Sequence, residues 1–85
     1  MSYHVKYIPK GEYGELSKII EEVAELQDAH EQDCMIMELC ELADLIGAIE
    51  AYTVKHHNKT LNDLITFSRI TKRAFESGHR TPKNN

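Results

Sequence analysis

Between residues 34 and 57 apolar side chains cover so much of a helical circumference that the segment reads as a central helix, packed on more than one side. Met35, Leu39, Leu42, Ala43, Ile46 and Ile49 recur at helical spacing as a main stripe. Met37, Leu45, Ala48 and Tyr52 carry that stripe around most of the circumference. A chain of 85 residues buries only a modest core by itself, so the second surface against this helix is expected to be another subunit.

The remaining segments arrange themselves around that helix. Residues 1–14 alternate weakly and contain Pro9, Gly11 and Gly14, which predicts an extended arm or short strand followed by turns. From Glu15 the period changes: Leu16, Ile19, Ile20, Val23 and Leu26 form one stripe, predicting a helix over 15–31. Asp33 is placed to cap the start of the central helix. Beyond "HHNKT", Thr60 and Asp63 resemble a capping box with Asp in place of Glu. A third helix is predicted over 60–76, with Leu61, Leu64, Ile65, Ser68 and Phe75 on one face. Gly78 is its expected stop, and 77–85 a frayed polar tail. The expected fold is all-α: one domain over 1–85, a helical hairpin plus a third helix, assembling into a multi-subunit bundle with a short extended N-terminal arm.

No stretch approaches the roughly 20 apolar residues of a membrane span, and "MSYHVKYIPKG" lacks the apolar core of a signal peptide. A cytoplasmic protein that does not engage membranes is the expectation. Cys34 and Cys40 have no CxxC or Cys/His ligand spacing and read as reduced packing residues. The net charge of −4 conceals a segregation that disfavours nonspecific nucleic-acid binding. Residues 19–50 hold ten Asp or Glu and no Lys or Arg, whereas 55–85 hold seven bases and two acids.

The acids carry the chemistry. Glu22 and Glu25 stand three apart on the first helix, about 60° around its axis, and Glu41 and Asp44 repeat that spacing on the second. Two antiparallel helices presenting such pairs to a shared groove would gather four carboxylates, which repel strongly unless a cation lies between them. On the first helix alone, Glu22 and Glu25 are compatible with ordinary solvent-facing acids. Glu41 and Asp44, however, share their side with Met37, Ala48 and Tyr52, where an unpartnered acid is costly. Oxygen ligands suit Mg²⁺, with Mn²⁺ an acceptable substitute, and Mg²⁺ completes its shell with water and phosphate. Arg69, Lys72 and Arg73 span about 100° of the third helix, where they could reach phosphate oxygens. Glu38 is the next candidate ligand or activating acid. Glu21, Asp28, Glu31 and Glu50 read as surface charge. His4, His30, His56, His57 and His79 show no ligand spacing and read as surface or loop residues.

"EEVAE" followed by "ELAD" forms an E-x-x-E … E-x-x-D pattern, preceded by "GELSKI" and followed by "ITKRAFESGHR". In these features the chain resembles the MazG-like, all-α nucleoside triphosphate pyrophosphohydrolases, over nearly the whole of 11–80. The resemblance implies dimers or dimers of dimers that hold Mg²⁺ on the four motif acids. They cleave the α–β phosphate bond to give monophosphate and pyrophosphate. Carried onto this chain, Glu22, Glu25, Glu41 and Asp44 become metal ligands, and one of them or Glu38 activates the attacking water. Arg69, Lys72 and Arg73 would bind phosphate, and Lys18 either touches phosphate or balances Glu22. Tyr13 and Tyr52 are the preferred base-stacking candidates. Phosphoribosyl-ATP pyrophosphohydrolases share the hairpin acids and are an alternative. A non-catalytic helical module that binds nucleotide or a partner protein is a second alternative.

Overall fold

A computed structural model describes residues 4–76, with the side chain of Phe75 excepted. Three helices occur in order: α1 (Leu16–Glu31), α2 (Met35–His57) and α3 (Leu61–Glu76). Among the described residues there is no strand, and residues 4–14 run without regular structure. The expected stop at Gly78 and the tail over 77–85 lie outside the described residues.

The helix ends follow local chemistry. Asp33 does not cap α2. It adopts a left-handed conformation (φ 56°) and donates its N–H to the His30 carbonyl, so it terminates α1, while Cys34 takes the N-cap position of α2 without a side-chain cap. Asp can do this because its short polar side chain tolerates the left-handed region. Asn58 ends α2 in the same way (φ 52°). At the start of α3 the expected reciprocal box is present. Asp63 N–H donates to Thr60 Oγ1 at 3.1 Å, and Thr60 N–H donates to Asp63 Oδ2 at 2.9 Å.

α1 and α2 pack as a hairpin, its open end tied by Glu15 to Lys55 and His56, whereas α3 touches α2 only sparsely. The packing inverts the expectation from the apolar stripes. Leu16, Ile20 and Val23 of α1 are exposed, as are Met35, Leu39, Leu42 and Ile46 of the main α2 stripe. α2 instead turns its secondary face inward, with Ala48 buried and Met37, Leu45 and Tyr52 half-buried. Ala29 and Ala48 are the buried hydrophobic residues among those described, and the largest fully buried side chains are Glu41 and Asp28. The seam of this hairpin is acidic.

Cys34 and Cys40 are free; Cys34 is half-buried and Cys40 exposed, so Cys40 is not a packing residue within this chain. Along α3, Leu61 and Leu64 are half-buried, while Ile65, Phe67 and Ile70 are exposed. No helix among the described residues is long and apolar enough to cross a membrane.

Candidate metal centre

Two helices deliver the acids. On α1, the i, i+3 and i+4 relations of Glu21, Glu22, Glu25 and Asp28 align them along the face turned to α2 and the arm. Glu21, Glu22 and Asp28 are buried, Asp28 to 1% exposure. On α2, Glu41 is buried to the same degree and Asp44 is exposed one turn further on. Three overlapping groups result, each with ligand atoms within 4.8 Å of one another: Glu21–Glu22–Glu25, Glu22–Glu41–Asp44, and His4–Glu25–Glu41. The four acids expected from sequence thus lie in one connected constellation. Glu22, Glu25 and Glu41 are each shared between two groups, and Asp44 sits at the exposed edge.

Three residues read as surface positions belong to this seam. Glu21 and Asp28 are buried, and the His4 side chain is only 8% exposed. The arm brings His4 there from 24 residues before Asp28. Its ring nitrogen Nδ1 lies 2.8 Å from Asp28 Oδ2, and Nε2 lies 3.0 Å from both Glu25 Oε1 and Glu41 Oε2. Local spacing cannot reveal such an arrangement, because His4 and its partners belong to different segments. The only hint in the sequence is Gly11, which permits the approach. A β-carbon there would lie 2.2 Å from the Ser17 carbonyl oxygen, so the arm packs on the first turn of α1 as only glycine allows.

The electrostatics record the crowding. Burial, then the charges of Glu22, Glu41 and Glu21, push the Glu25 carboxyl up to about 7. Glu21 is held below its ordinary value despite burial, by the Gly11 N–H at 2.8 Å and by Lys18. Burial likewise opposes the charged form of Asp28, but the hydrogen bonds from His4, Gln32 and the Val5 N–H outweigh it and lower its pKa. His4 is raised: desolvation works against the imidazolium, and Asp28, Glu41 and Glu25 overcome it. Lys18 lies 3.1 Å from Glu21 and 3.2 Å from Glu22, so in this chain it balances acids. One oxygen of Glu22, Oε1, and one of Asp28, Oδ1, are nevertheless buried without a hydrogen-bond partner among the described residues. Leaving a carboxylate oxygen in that state is costly, and a cation bound there would remove the cost.

Other sequence candidates stand apart from the constellation. Glu38 is half-buried 3.5 Å from His30 and lines a separate hollow with Leu26, Gln27, Glu31 and Leu42. It is in none of the three ligand groups. Arg69, Lys72 and Arg73 line a groove of about 590 Å³ together with Thr66, Ile70 and Glu76, all on α3, and no motif acid opens onto it. Tyr13 is exposed in a hollow of about 380 Å³ with Gly14, Glu50, Ala51, Val54 and Lys55. Tyr52 packs on His56, ring centroids 4.7 Å apart. His30, His56 and His57 are exposed as expected, as are Glu31 and Glu50, and His79 lies outside the described residues. Besides Lys18, the arm brings lysines close to the acids. A cavity of about 340 Å³ is lined by His4, Glu21 and Glu25 together with Lys6, Tyr7, Ile8 and Lys10 of the arm.

Donor chemistry fits a divalent cation: carboxylate oxygens from both helices, one exposed edge at Asp44, and an unsatisfied oxygen on Glu22. No family model, no curated protein and no solved structure matches this chain.

Proposed function

We propose that the chain is a divalent-cation-dependent pyrophosphohydrolase of nucleoside triphosphates, of the MazG-like kind, releasing monophosphate and pyrophosphate. The observation that carries this reading is the convergence of Glu22, Glu25, Glu41 and Asp44 across the hairpin, with Glu22 Oε1 buried and unpartnered. These four acids would hold Mg²⁺ or Mn²⁺. When bound, the cation supplies positive charge for the triphosphate and acidifies a water.

The chain's own residues divide the remaining work. Glu41 and Glu22, buried in the seam, fix the position of the ligand set, and Asp44 leaves an edge open to substrate. Lys10, which lines the arm cavity, is placed to meet phosphate oxygens beside Glu21 and Glu25, while Lys6 lines the same cavity but pairs with Glu31. Arg69, Lys72 and Arg73 line a separate groove within one subunit, so in this reading they serve a site completed across a homodimer or homotetramer interface. The exposed apolar faces of α1, α2 and α3 favour such an assembly. The proposed setting is cytoplasmic, with a nucleotide as the small-molecule partner.

The deciding experiment measures pyrophosphate release from a panel of NTPs and dNTPs, with Mg²⁺ or with EDTA. Cation-dependent release with monophosphate as coproduct is expected. Release from phosphoribosyl-ATP alone would move the chain to that narrower activity. No release from any of these by folded, metal-loaded protein would favour the non-catalytic module, a reading for which the exposed apolar face of α2 also speaks.

A further inference from the structure

We propose that His4 is a nitrogen ligand of the bound cation, oriented by Asp28, so that His4, Glu25 and Glu41 make a mixed nitrogen–oxygen position that favours Mn²⁺ or Zn²⁺ over Mg²⁺. The inference rests on the metal reading of the acids and adds to it a residue and a metal preference that the four-acid motif does not contain.

Geometry carries it. The arm is anchored at two places along α1: the Gly11 N–H donates to Glu21 Oε1 at 2.8 Å, and the Val5 N–H donates to Asp28 Oδ2 at 3.3 Å. Immediately before the Val5 anchor, His4 is set down on the seam. Its Nδ1 faces Asp28 at 2.8 Å, the arrangement by which a carboxylate fixes the tautomer and ring orientation of a metal-binding histidine. With Nδ1–H donating to Asp28, Nε2 points at Glu25 Oε1 and Glu41 Oε2, each 3.0 Å away. In the metal-free protein an Nε2 proton bridges to these oxygens, and a cation held among the three would take that proton's place.

A second observation comes from the neighbouring ligand groups. Glu22 is 5% exposed, belongs to both neighbouring ligand groups, and has Oε1 without a hydrogen-bond partner. The position is also reachable, because His4 and Glu25 line the arm cavity of about 340 Å³. Carboxylates alone suit Mg²⁺; adding an imidazole shifts preference toward the later divalent metals.

The competing account makes His4 an imidazolium that simply neutralises Glu25, Asp28 and Glu41. The two accounts differ in what a bound metal sees. Full-length protein stripped with EDTA would be titrated calorimetrically with Mg²⁺, Mn²⁺ and Zn²⁺ in turn, and the Mn²⁺-loaded form examined by pulsed EPR for nitrogen coupling. Imidazole nitrogen coupling is expected in the wild type and lost in His4→Gln. Asp28→Asn should weaken Mn²⁺ and Zn²⁺ binding by about 10- to 100-fold with Mg²⁺ binding nearly unchanged. Nitrogen coupling absent from wild type with Mn²⁺ bound, or persisting in His4→Gln, would overturn the role of His4 while leaving the acid site intact. Equal losses for all three metals in Asp28→Asn would do the same, since a purely structural partner does not discriminate among cations. Binding of none of the three by wild type would overturn this inference and the metal reading together. The wild-type spectrum requires no variant, so misfolding of His4→Gln leaves the test in place.

Discussion

The seam of the α1–α2 hairpin and the outward faces of the same helices present opposite chemistry. Inward lie Glu21, Glu22, Asp28 and Glu41, all buried, held by Lys18, His4 and the backbone of the arm. Outward lie Ile20, Met35, Leu39 and Ile46, all at least half exposed. An ordinary soluble helix pair does the reverse, because burying apolar area is the main favourable term and burying charge is expensive. The difference teaches that, on the proposed reading, neither region is complete in one bare subunit. Seam acids call for a cation, and the outward apolar surface calls for a covering partner. Each can be broken separately.

The largest effect is expected outside. Leu39→Lys with Ile46→Lys puts two charges one heptad apart on the outward face of α2. Losing burial of both side chains removes about 3–6 kcal/mol per subunit. Sedimentation velocity should show dissociation to monomers, with a fall in helicity by circular dichroism. A wild type that is already monomeric and fully helical would refute the covered-face reading.

Next in size, Glu41→Gln or Asp44→Asn should lower pyrophosphate release by about 100-fold or more with helicity unchanged. Full turnover in both variants would remove the metal site. Third, Mn²⁺ or Mg²⁺ at about 100 times its dissociation constant should stabilise the EDTA-treated protein by about 2.7 kcal/mol, a rise in Tm of roughly 10–20 °C. Glu22→Gln should show the opposite pair of changes, a higher metal-free Tm because one crowded charge is gone, and little further gain from metal.

Smaller still is Gly11→Ala, which tests whether the arm belongs to the seam. Its β-carbon cannot coexist with the Ser17 carbonyl, so the arm must lift and the Glu21 hydrogen bond is lost. A destabilisation of about 1–3 kcal/mol is expected by thermal melting. The smallest effect belongs to Glu15, a half-buried acid whose pKa is lowered from 4.5, first by Lys55 and then by His56. Because the folded value lies below the unfolded one, its contribution is present above about pH 4.5 and fades as pH falls through the lowered folded value. The Tm difference between wild type and Glu15→Gln should therefore be visible at pH 7 and shrink on acidification.

Much of this molecule is legible in residue order. Helical periodicity marks all three helices to within a residue or two, since an amphipathic repeat reports local geometry that tertiary contacts seldom override in segments this long. The Thr60–Asp63 box is readable for the same reason: both partners lie within one turn. The acid pairs are legible too, because their i, i+3 spacing confines each pair to one side of its own helix.

Tertiary structure decided which side that was. Periodicity finds the stripe of α2 but says nothing about whether Leu39 or Glu41 faces α1. That choice emerges when the hairpin closes and Glu41 goes inside. It also decided that Asp33 ends α1 instead of beginning α2, through a backbone conformation that a side-chain preference does not encode. Above all it placed His4 on Asp28, Glu25 and Glu41. Residue order determined four acids at helical spacing; contacts between His4 and residues 21 to 37 positions further along exist only once the arm has crossed the hairpin.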